Sequence, residues 1–518
     1  MRDSLVHPGS CPHPIKSWLR NYLSLLSQIT AMKQFRFLLF LHLSLTSFSQ
    51  QVKLTTSIKK QIDNYIKAEM INEQIPGLSY AVVSNGKIID SGAYGYANVE
   101  LKAPVTFHTL FNIGSIGKTF TATAIMLLRK DGKLSIDDPI NKYLDSLPSS
   151  WNNITIRHLL SHTSGIKDYA HDFPGYPFIE KDRKQEITET QFIRMATTVP
   201  LNFQPGERWA YSNSNFVLLG FIIHKLAGKP IGDFMKERIF EPAGMKETRY
   251  TDIHDVIPNR ASGYLLDEDD NNRFINGIYV SNFFSKMGDM GILTTANDLA
   301  RWSLAQDHAT ILDRSILELM WTPSKLKTGL EAMGILGANY GLGWGLVDHR
   351  GYKEVLHGGS FINGYTASFS RFPEEDLAVV VLTNLNPTNV SWIGYNIAGF
   401  FIPALKGIDQ IQRSKKQDTA MNKKVSSFLE SLGTGNYDRS LVTENFIKRI
   451  NPITKIIFAS SVKPGLDFIA SDIIRTKYER NGVQVKKINY YKISLRNETH
   501  YLAIYFSDDN KIADLRGY

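Results

Sequence analysis

The sequence predicts a mixed α/β chain: one antiparallel sheet flanked by helices and closed by the two ends of a large domain, a helical lobe between those ends, and a small α+β domain after it. Three observations carry this prediction. Strand patterns stand at residues 78–83 and 87–94, joined by the tight turn Asn85-Gly86. Strand patterns return at 365–372 and 377–383, on either side of the turn Pro373-Glu374-Glu375-Asp376. Between them, residues 135–330 carry mostly helical periodicity with long polar connections.

Bulk properties set the frame. A chain of 518 residues, 43% hydrophobic and 21% charged, is long enough for two or three domains with a large core. The formal charge is +9, but five of the basic side chains (Arg2, Lys16, Arg20, Lys33, Arg36) fall in the first 49 residues against the single acid Asp3. No run of Lys and Arg interleaved with aromatics supports nucleic-acid binding, and that reading is set aside.

The amino end reads as an export signal. Met32-Lys33-Gln34-Phe35-Arg36 gives a short basic start, residues 37–45 an apolar run, and Ser47-Phe48-Ser49 the small residues of a cleavage site before Gln50. The run is short for a bilayer span, so membrane attachment is expected only if the segment is retained. Residues 1–31 read as the product of a misplaced start codon. The expected location is exported, periplasmic or secreted. Cys11, the one cysteine, falls in the upstream piece, so the mature chain would have no disulfide and no thiolate chemistry.

The expected organisation is therefore 1–49 as upstream extension and signal peptide, 50–408 as the large domain, 409–424 as a polar linker, and 425–518 as a separate small α+β module. In the module, residues 425–450 read as helix and 455–460, 485–495, 499–506 and 512–515 as short strands. There is no internal repeat.

Chemistry enters at Ser115-Ile116-Gly117-Lys118. Ser-x-x-Lys spacing alone means little, since it recurs at Ser57/Lys60, Ser84/Lys87, Ser164/Lys167, Ser324/Lys327 and Ser460/Lys463. Only the copy at 115 opens a long segment (114–130) apolar or small nearly all round, a helix buried on most sides. Residues three apart share a helix face, so the Lys118 amine can sit beside the Ser115 hydroxyl. Burial would lower the pKa of that lysine and let it accept the serine proton. The bland alternative is a helix cap with a surface lysine.

Tyr211-Ser212-Asn213 lies on a loop after Gln204-Pro205-Gly206, with a helix pattern directly behind it. A phenol near a cationic amine can pass protons to a leaving group, and Asn213 can hold the substrate carbonyl side. A core tyrosine and a helix cap would look the same. His357-Gly358-Gly359-Ser360 precedes the returning strands. Its glycines, Gly359 among them, would let a substrate backbone lie against the strand edge, and the N–H of Ser360 would be a second oxyanion donor beside that of Ser115. A glycine-rich hairpin turn is the alternative.

These three pieces, in this order, resemble the class C β-lactamase and penicillin-binding-protein family, which includes D-aminopeptidases and esterases. The flanks Leu110-Phe111-Asn112-Ile113-Gly114, Arg157-His158-Leu159-Leu160-Ser161-His162-Thr163-Ser164-Gly165, Thr294-Thr295-Ala296-Asn297-Asp298-Leu299-Ala300-Arg301-Trp302 and Tyr340-Gly341-Leu342-Gly343-Trp344 match as well, over residues 55–405. The resemblance implies a β-lactamase/transpeptidase-like fold. It also implies a serine hydrolase that forms an acyl-enzyme on Ser115 without metal or organic cofactor. On that basis Ser115, Lys118 and Tyr211 are the catalytic candidates, and Asn213, His357, Gly359 and Ser360 the substrate-binding or oxyanion candidates.

One departure matters. The β-lactamases usually carry Lys-Thr-Gly as the third motif, and Lys327-Thr328-Gly329 has those letters, but it sits in a polar stretch with no strand behind it. His357 leads into two strands and takes the place. Imidazole is mostly neutral near pH 7, so the grip on a substrate carboxylate should weaken. The expectation becomes cleavage of an ester, amide or peptide bond (esterase, D-aminopeptidase or peptidase type). A β-lactamase or D,D-carboxypeptidase is one alternative, and a non-catalytic penicillin-binding-like sensor the other. The partner is then a small-molecule, peptide or ester substrate. His158 and His162, four apart, could pair on a metal, but the resemblance makes them structural. The last module resembles, weakly, the cone-like nuclear-transport-factor domains.

Overall fold

The computed structural model describes residues 52–518, except 171, 174–187, 253, 268, 271–272, 278–286, 333–337, 362, 408–417, 433–434, 450–464, 481–482, 496–497 and 518. The expected signal segment, Cys11, the expected strand at 455–460 and most of the expected linker lie outside the described residues.

Helix α1 (Thr56–Asn72) starts where the Thr55 side chain accepts the Ile58 N–H. It leads into β1 (Gly77–Ser84) and β2 (Lys87–Asn98), then the short β3 (Ala103–Pro104) and β4 (Phe111–Asn112). The lobe follows, with α2 (Gly117–Lys130), α3 (Ile156–Leu160), α4 (Glu189–Thr197), α5 (Asn213–Ala227), α6 (Ile231–Met235), α7 (Ala296–Asp307) and α8 (Arg314–Met320). Among them lie the two- and three-residue strands β5 (Arg249–Tyr250), β6 (Tyr264–Leu266), β7 (Phe274–Asn276) and β8 (Ile292–Thr294). The chain then returns through β9 (Asn339–Tyr340), β10 (Gly345–His349), β11 (Tyr352–Phe361), β12 (Tyr365–Phe372) and β13 (Leu377–Thr383) to α9 (Val390–Phe401).

Eight strands form the main sheet in the order β3-β2-β1-β13-β12-β11-β10-β9. Its seam joins the two ends of the domain: β1 and β13 run antiparallel in the register Leu78↔Thr383 to Ser84↔Leu377. All eight residues of β1 and all seven of β13 are buried, which explains their largely apolar text. Both faces are covered, by different layers. Ala81, Val83, Ala378, Val380 and Leu382 join α2 and the lobe in one core. Leu78, Tyr80, Val82, Val379 and Val381 join α1 and α9 in another.

After residue 418 come α10 (Thr419–Leu432), α11 (Glu444–Arg449) and the antiparallel meander β14 (Gly465–Arg480), β15 (Val483–Leu495), β16 (Glu498–Ser507) and β17 (Ile512–Gly517). Three expectations change here. The linker read at 409–424 ends earlier, because α10 already begins at Thr419. The helix read at 425–450 breaks at Leu432 into two. The part from 419 onward is not a separate module either, because residues 52–518 form one compact unit. Alternate residues of its sheet explain the last point. Tyr491, Ile493, Leu502, Ile504 and Phe506 pack with α10 and α11, while Ile488, Tyr490, Ala503 and Tyr505 join the core behind the main sheet. Arg516 reaches across, donating to the Asp348 carbonyl at 3.1 Å and to the Tyr395 hydroxyl at 3.1 Å. It stands 3.9 Å from the buried Glu354 carboxylate.

Candidate active site

Ser115 sits in a single 3-10 turn, Gly114–Ile116, that runs straight into α2. The Asn112 side chain fixes the approach by accepting the Gly114 N–H at 2.9 Å, and Gly114 takes a positive φ of 48° that costs a glycine little. Residues 117–128 of α2 are all buried. Three threonines can lie there because each finds a carbonyl: Thr119 donates to Ile116, Thr121 to Gly288 and Thr123 to Thr119.

Lys118 is fully buried. Its Nζ lies 2.9 Å from Ser115 Oγ, 2.8 Å from Asn213 Oδ1 and 3.1 Å from the Asp289 carbonyl. The amide of Asn213 is oriented by Asp168, to whose carboxylate oxygens its Nδ2 donates at 3.0 and 3.3 Å. Two of the amine's three neighbours can therefore only accept, while the hydroxyl can accept or donate. The amine can therefore donate an N–H to each of the three, and Ser115 O–H is the one neighbour that could instead donate to it.

The ring of Tyr211 stands beside the same amine, its centroid 5.1 Å from Nζ, and that of Phe216 5.7 Å away. Behind Lys118, Asp289 is fully buried and receives the Tyr169 hydroxyl at 2.6 Å. Burial pushes its carboxyl up to about 6, against the pull of Lys118 and Tyr169. Burial likewise raises Asp168.

His357 lies on β11, on the strand side away from Ser360. The Gly358 carbonyl, 2.7 Å from Nδ1, can only accept, so Nδ1 carries the proton and Nε2 accepts from the Tyr340 hydroxyl at 3.0 Å. Burial, and after it the charge of Lys118, hold this imidazole down to about 4. At neutral pH the third motif therefore presents no cation. Lys327-Thr328-Gly329 forms an exposed turn, with Lys327 N–H bonded to the Gly206 carbonyl and Gly329 N–H to that of Leu326.

Gly359 and Ser360 bring β11 against the serine turn. β10 pairs with β11 only as far as Leu356, leaving 357–361 with an open edge. A Cβ on Gly114 would stand 3.1 Å from both N and O of Ser360, and one on Gly359 would stand 3.3 Å from Ser115 N. Ser360 thus turns its N–H and C=O toward the serine turn rather than into the β12 ladder, as alternate residues of an antiparallel strand do. The N–H groups of Ser115 and Ser360 stand on adjoining backbones. Ser360 Oγ donates to Asn386 Oδ1 at 2.6 Å.

All seven sequence candidates thus fall around one serine. Sequence reading missed Asp168, Asp289, Tyr340 and the part played by His162. Asp168 and Tyr340 lie in or beside flanks that carried the resemblance. Asp289 left no signal, since Lys118 touches only its backbone. His158 closes a capping box with Thr155, and His162 lies under Tyr211. Among the described residues no group of three or more His, Cys, Asp or Glu could hold a metal ion, and no helix is long and apolar enough to cross a membrane.

Comparison with known proteins bears on the family and the fold. A family model described as Beta-lactamase matches residues 62–400. Penicillin-binding protein 4* of Bacillus subtilis (strain 168) is 31% identical over 311 residues, covering 58% of this chain and 66% of that protein. Protein flp of Staphylococcus aureus (strain MW2) is 28% identical over 348 residues, covering 64% of each. The chain thus spans just under two thirds of the length of both. Among solved structures, the penicillin binding protein from Bacillus halodurans aligns with a TM-score of 0.55 at 26% identity, over 66% of this chain and 99% of that one. The octameric penicillin-binding protein homologue from Pyrococcus abyssi aligns with a TM-score of 0.59 at 24% identity, over 87% and 96%, a likeness of fold.

Proposed function

The chain belongs to the beta-lactamase family and is a serine hydrolase by type, and from that premise we propose that it is an exported enzyme that cleaves an ester, amide or peptide bond through an acyl-enzyme on Ser115. One observation carries the reading: a fully buried amine, Lys118, 2.9 Å from the serine hydroxyl, whose other two neighbours are obligate acceptors. In the proposed cycle the Ser115 proton passes to Lys118 Nζ as Oγ bonds the substrate carbonyl carbon. The resulting oxyanion is held by the N–H groups of Ser115 and Ser360. The proton then leaves on the departing alcohol or amine, directly from Nζ or by way of the Tyr211 hydroxyl. Water enters by the reverse route and frees the acid. Export rests on the basic-apolar-small pattern of residues 32–49.

The neutral His357 favours esters and peptides over β-lactams, because no cation stands in the third motif to grip a carboxylate. A second reading is supported by the relatives named as penicillin-binding proteins: a β-lactam acylates Ser115 and is released slowly or not at all. Purified protein assayed side by side on p-nitrophenyl esters, D-amino-acid amides and penicillin, with Ser115→Ala as control, separates these. Ester or amide turnover lost in Ser115→Ala is expected. Efficient penicillin turnover, abolished by the same change, would overturn the preference. No turnover and no labelling by fluorophosphonate or fluorescent penicillin would leave a binding protein.

A further inference from the structure

His162 has no assigned role in the chemistry, yet it is the residue on which the second motif rests. It follows α3 in a left-handed conformation, φ 57°, unusual for a residue with a bulky side chain. Its side chain is fully buried. Its backbone carbonyl accepts the Ala210 N–H at 3.0 Å, and its ring Nδ1 faces the Ser212 N–H at 3.2 Å and Asn215 Nδ2 at 3.3 Å. One residue thus holds the loop on both sides of Tyr211. The Ser212 N–H can only donate, so Nδ1 is the bare nitrogen and the proton sits on Nε2, which has no hydrogen-bond partner among the described residues. Nothing in hydrogen bonding explains that side of the ring. Its neighbours are aromatic faces: Tyr211 at 4.3 Å between centroids, Tyr340 at 4.8 Å, Phe216 at 5.2 Å and Trp209 at 6.0 Å. Tyr340 in turn donates to His357.

We propose that His162 is a positioning residue for the hydrolytic reaction: it clamps the Tyr211-Ser212-Asn213 loop through Nδ1 and its carbonyl, and its ring is the support that holds the Tyr211 phenol beside Lys118. The strained backbone aims the imidazole under the loop, and the bare Nδ1 requires it to stay neutral. Burial, with Lys118 and His357 nearby, holds it well below the ordinary imidazole range. The clamp rests on the proposed role of Tyr211 in proton transfer.

The test is a double-mutant cycle joining His162→Asn and Tyr211→Phe, read as kcat and KM on a p-nitrophenyl ester and as the rate of Ser115 labelling by a fluorophosphonate. Asparagine tolerates the left-handed backbone and can offer its Oδ1 near the place of Nδ1, so it removes the ring and keeps the clamp. His162→Asn is expected to lower kcat roughly 10- to 100-fold with KM changed less than about threefold, since misplacing a reacting group by an ångström costs about that much. In the Tyr211→Phe background it should cost less than about threefold. Equal losses in both backgrounds, or none, overturn the proposal. Should the variant fail to fold, 15N NMR of the wild-type imidazole decides: Nε2–H with a bare Nδ1 is expected, and the Nδ1–H tautomer would overturn the clamp. Tyr211→Phe with unchanged kcat would instead sink the proposed role of Tyr211, and the tautomer measurement would still judge His162.

Discussion

Gly359→Ala offers a sharp trial of the oxyanion arrangement. A Cβ at Gly359 would lie 1.9 Å from the Ile113 carbonyl oxygen, 2.8 Å from its carbon and 3.3 Å from Ser115 N. All three are backbone atoms, so no side chain can swing aside. Since real Cβ contacts essentially never fall under 3.0 Å, β11 and the serine turn must part by about 1 Å in a close-packed interior. An oxyanion donor works over roughly 2.7–3.1 Å, and losing one costs about 10²–10³ in kcat, or about 3–4 kcal/mol. The expected result is that loss in kcat on a p-nitrophenyl ester, with a thermal melt showing a folded protein. Gly358→Ala is the control, because its Cβ would meet only the Ala367 carbonyl at 3.9 Å. If Gly359→Ala keeps kcat within about threefold, or Gly358→Ala loses as much, the N–H groups of Ser115 and Ser360 are not the oxyanion donors.

The remaining predictions concern charge and packing. His357 is a base held at about 4 against 6.5 when unfolded, so its contribution to stability is present above pH 6.5 and lost as pH falls through about 4. At most about 3 kcal/mol is involved; urea unfolding across that window should show the decline, and His357→Gln should flatten it. Arg516→Met leaves the buried Glu354 carboxylate without that cation and should destabilise the protein by about 3 kcal/mol, measured by chemical unfolding; a change under about 0.5 kcal/mol would show the docking of β17 to be dispensable. Lys327→Ala, in the exposed turn with the Lys-Thr-Gly letters, should leave kcat and KM within about twofold, and a large loss would restore that string as the third motif.

Much of the site was legible because its chemistry coincides with local pattern. Ser115 and Lys118 stand out where a Ser-x-x-Lys opens a segment with almost no polar face. The seam of the main sheet was legible because β1 and β13 are buried on both sides and so read as largely apolar runs. Asp289 was not, since Lys118 reads its peptide carbonyl, which any residue supplies. The start of α10 was hidden by composition. Lys423 and Lys424 made 409–424 look like solvated linker, yet Met421, Val425, Phe428, Leu429 and Leu432 follow helical spacing and are buried, with the lysines on the outer face. The docking of the last sheet was hidden for a related reason: adjacent Tyr490 and Tyr491 break the alternation expected of a one-sided strand, and each serves a different core.

Because β1 pairs with β2 on one side and with the distant β13 on the other, the order in which the chain is made separates the serine from the strand beside it. Ser115 and Lys118 come early, whereas the stretch carrying Gly359 and Ser360 has no place to lie until β12 and β13 have reached the waiting β1. Joining segments so distant in the chain is slow. A polypeptide cut short in the lobe would carry Ser115 and Lys118 without the strand that supplies Gly359 and the N–H of Ser360. Of the groups proposed for hydrolysis, the oxyanion donor at Ser360 is thus the last to be made.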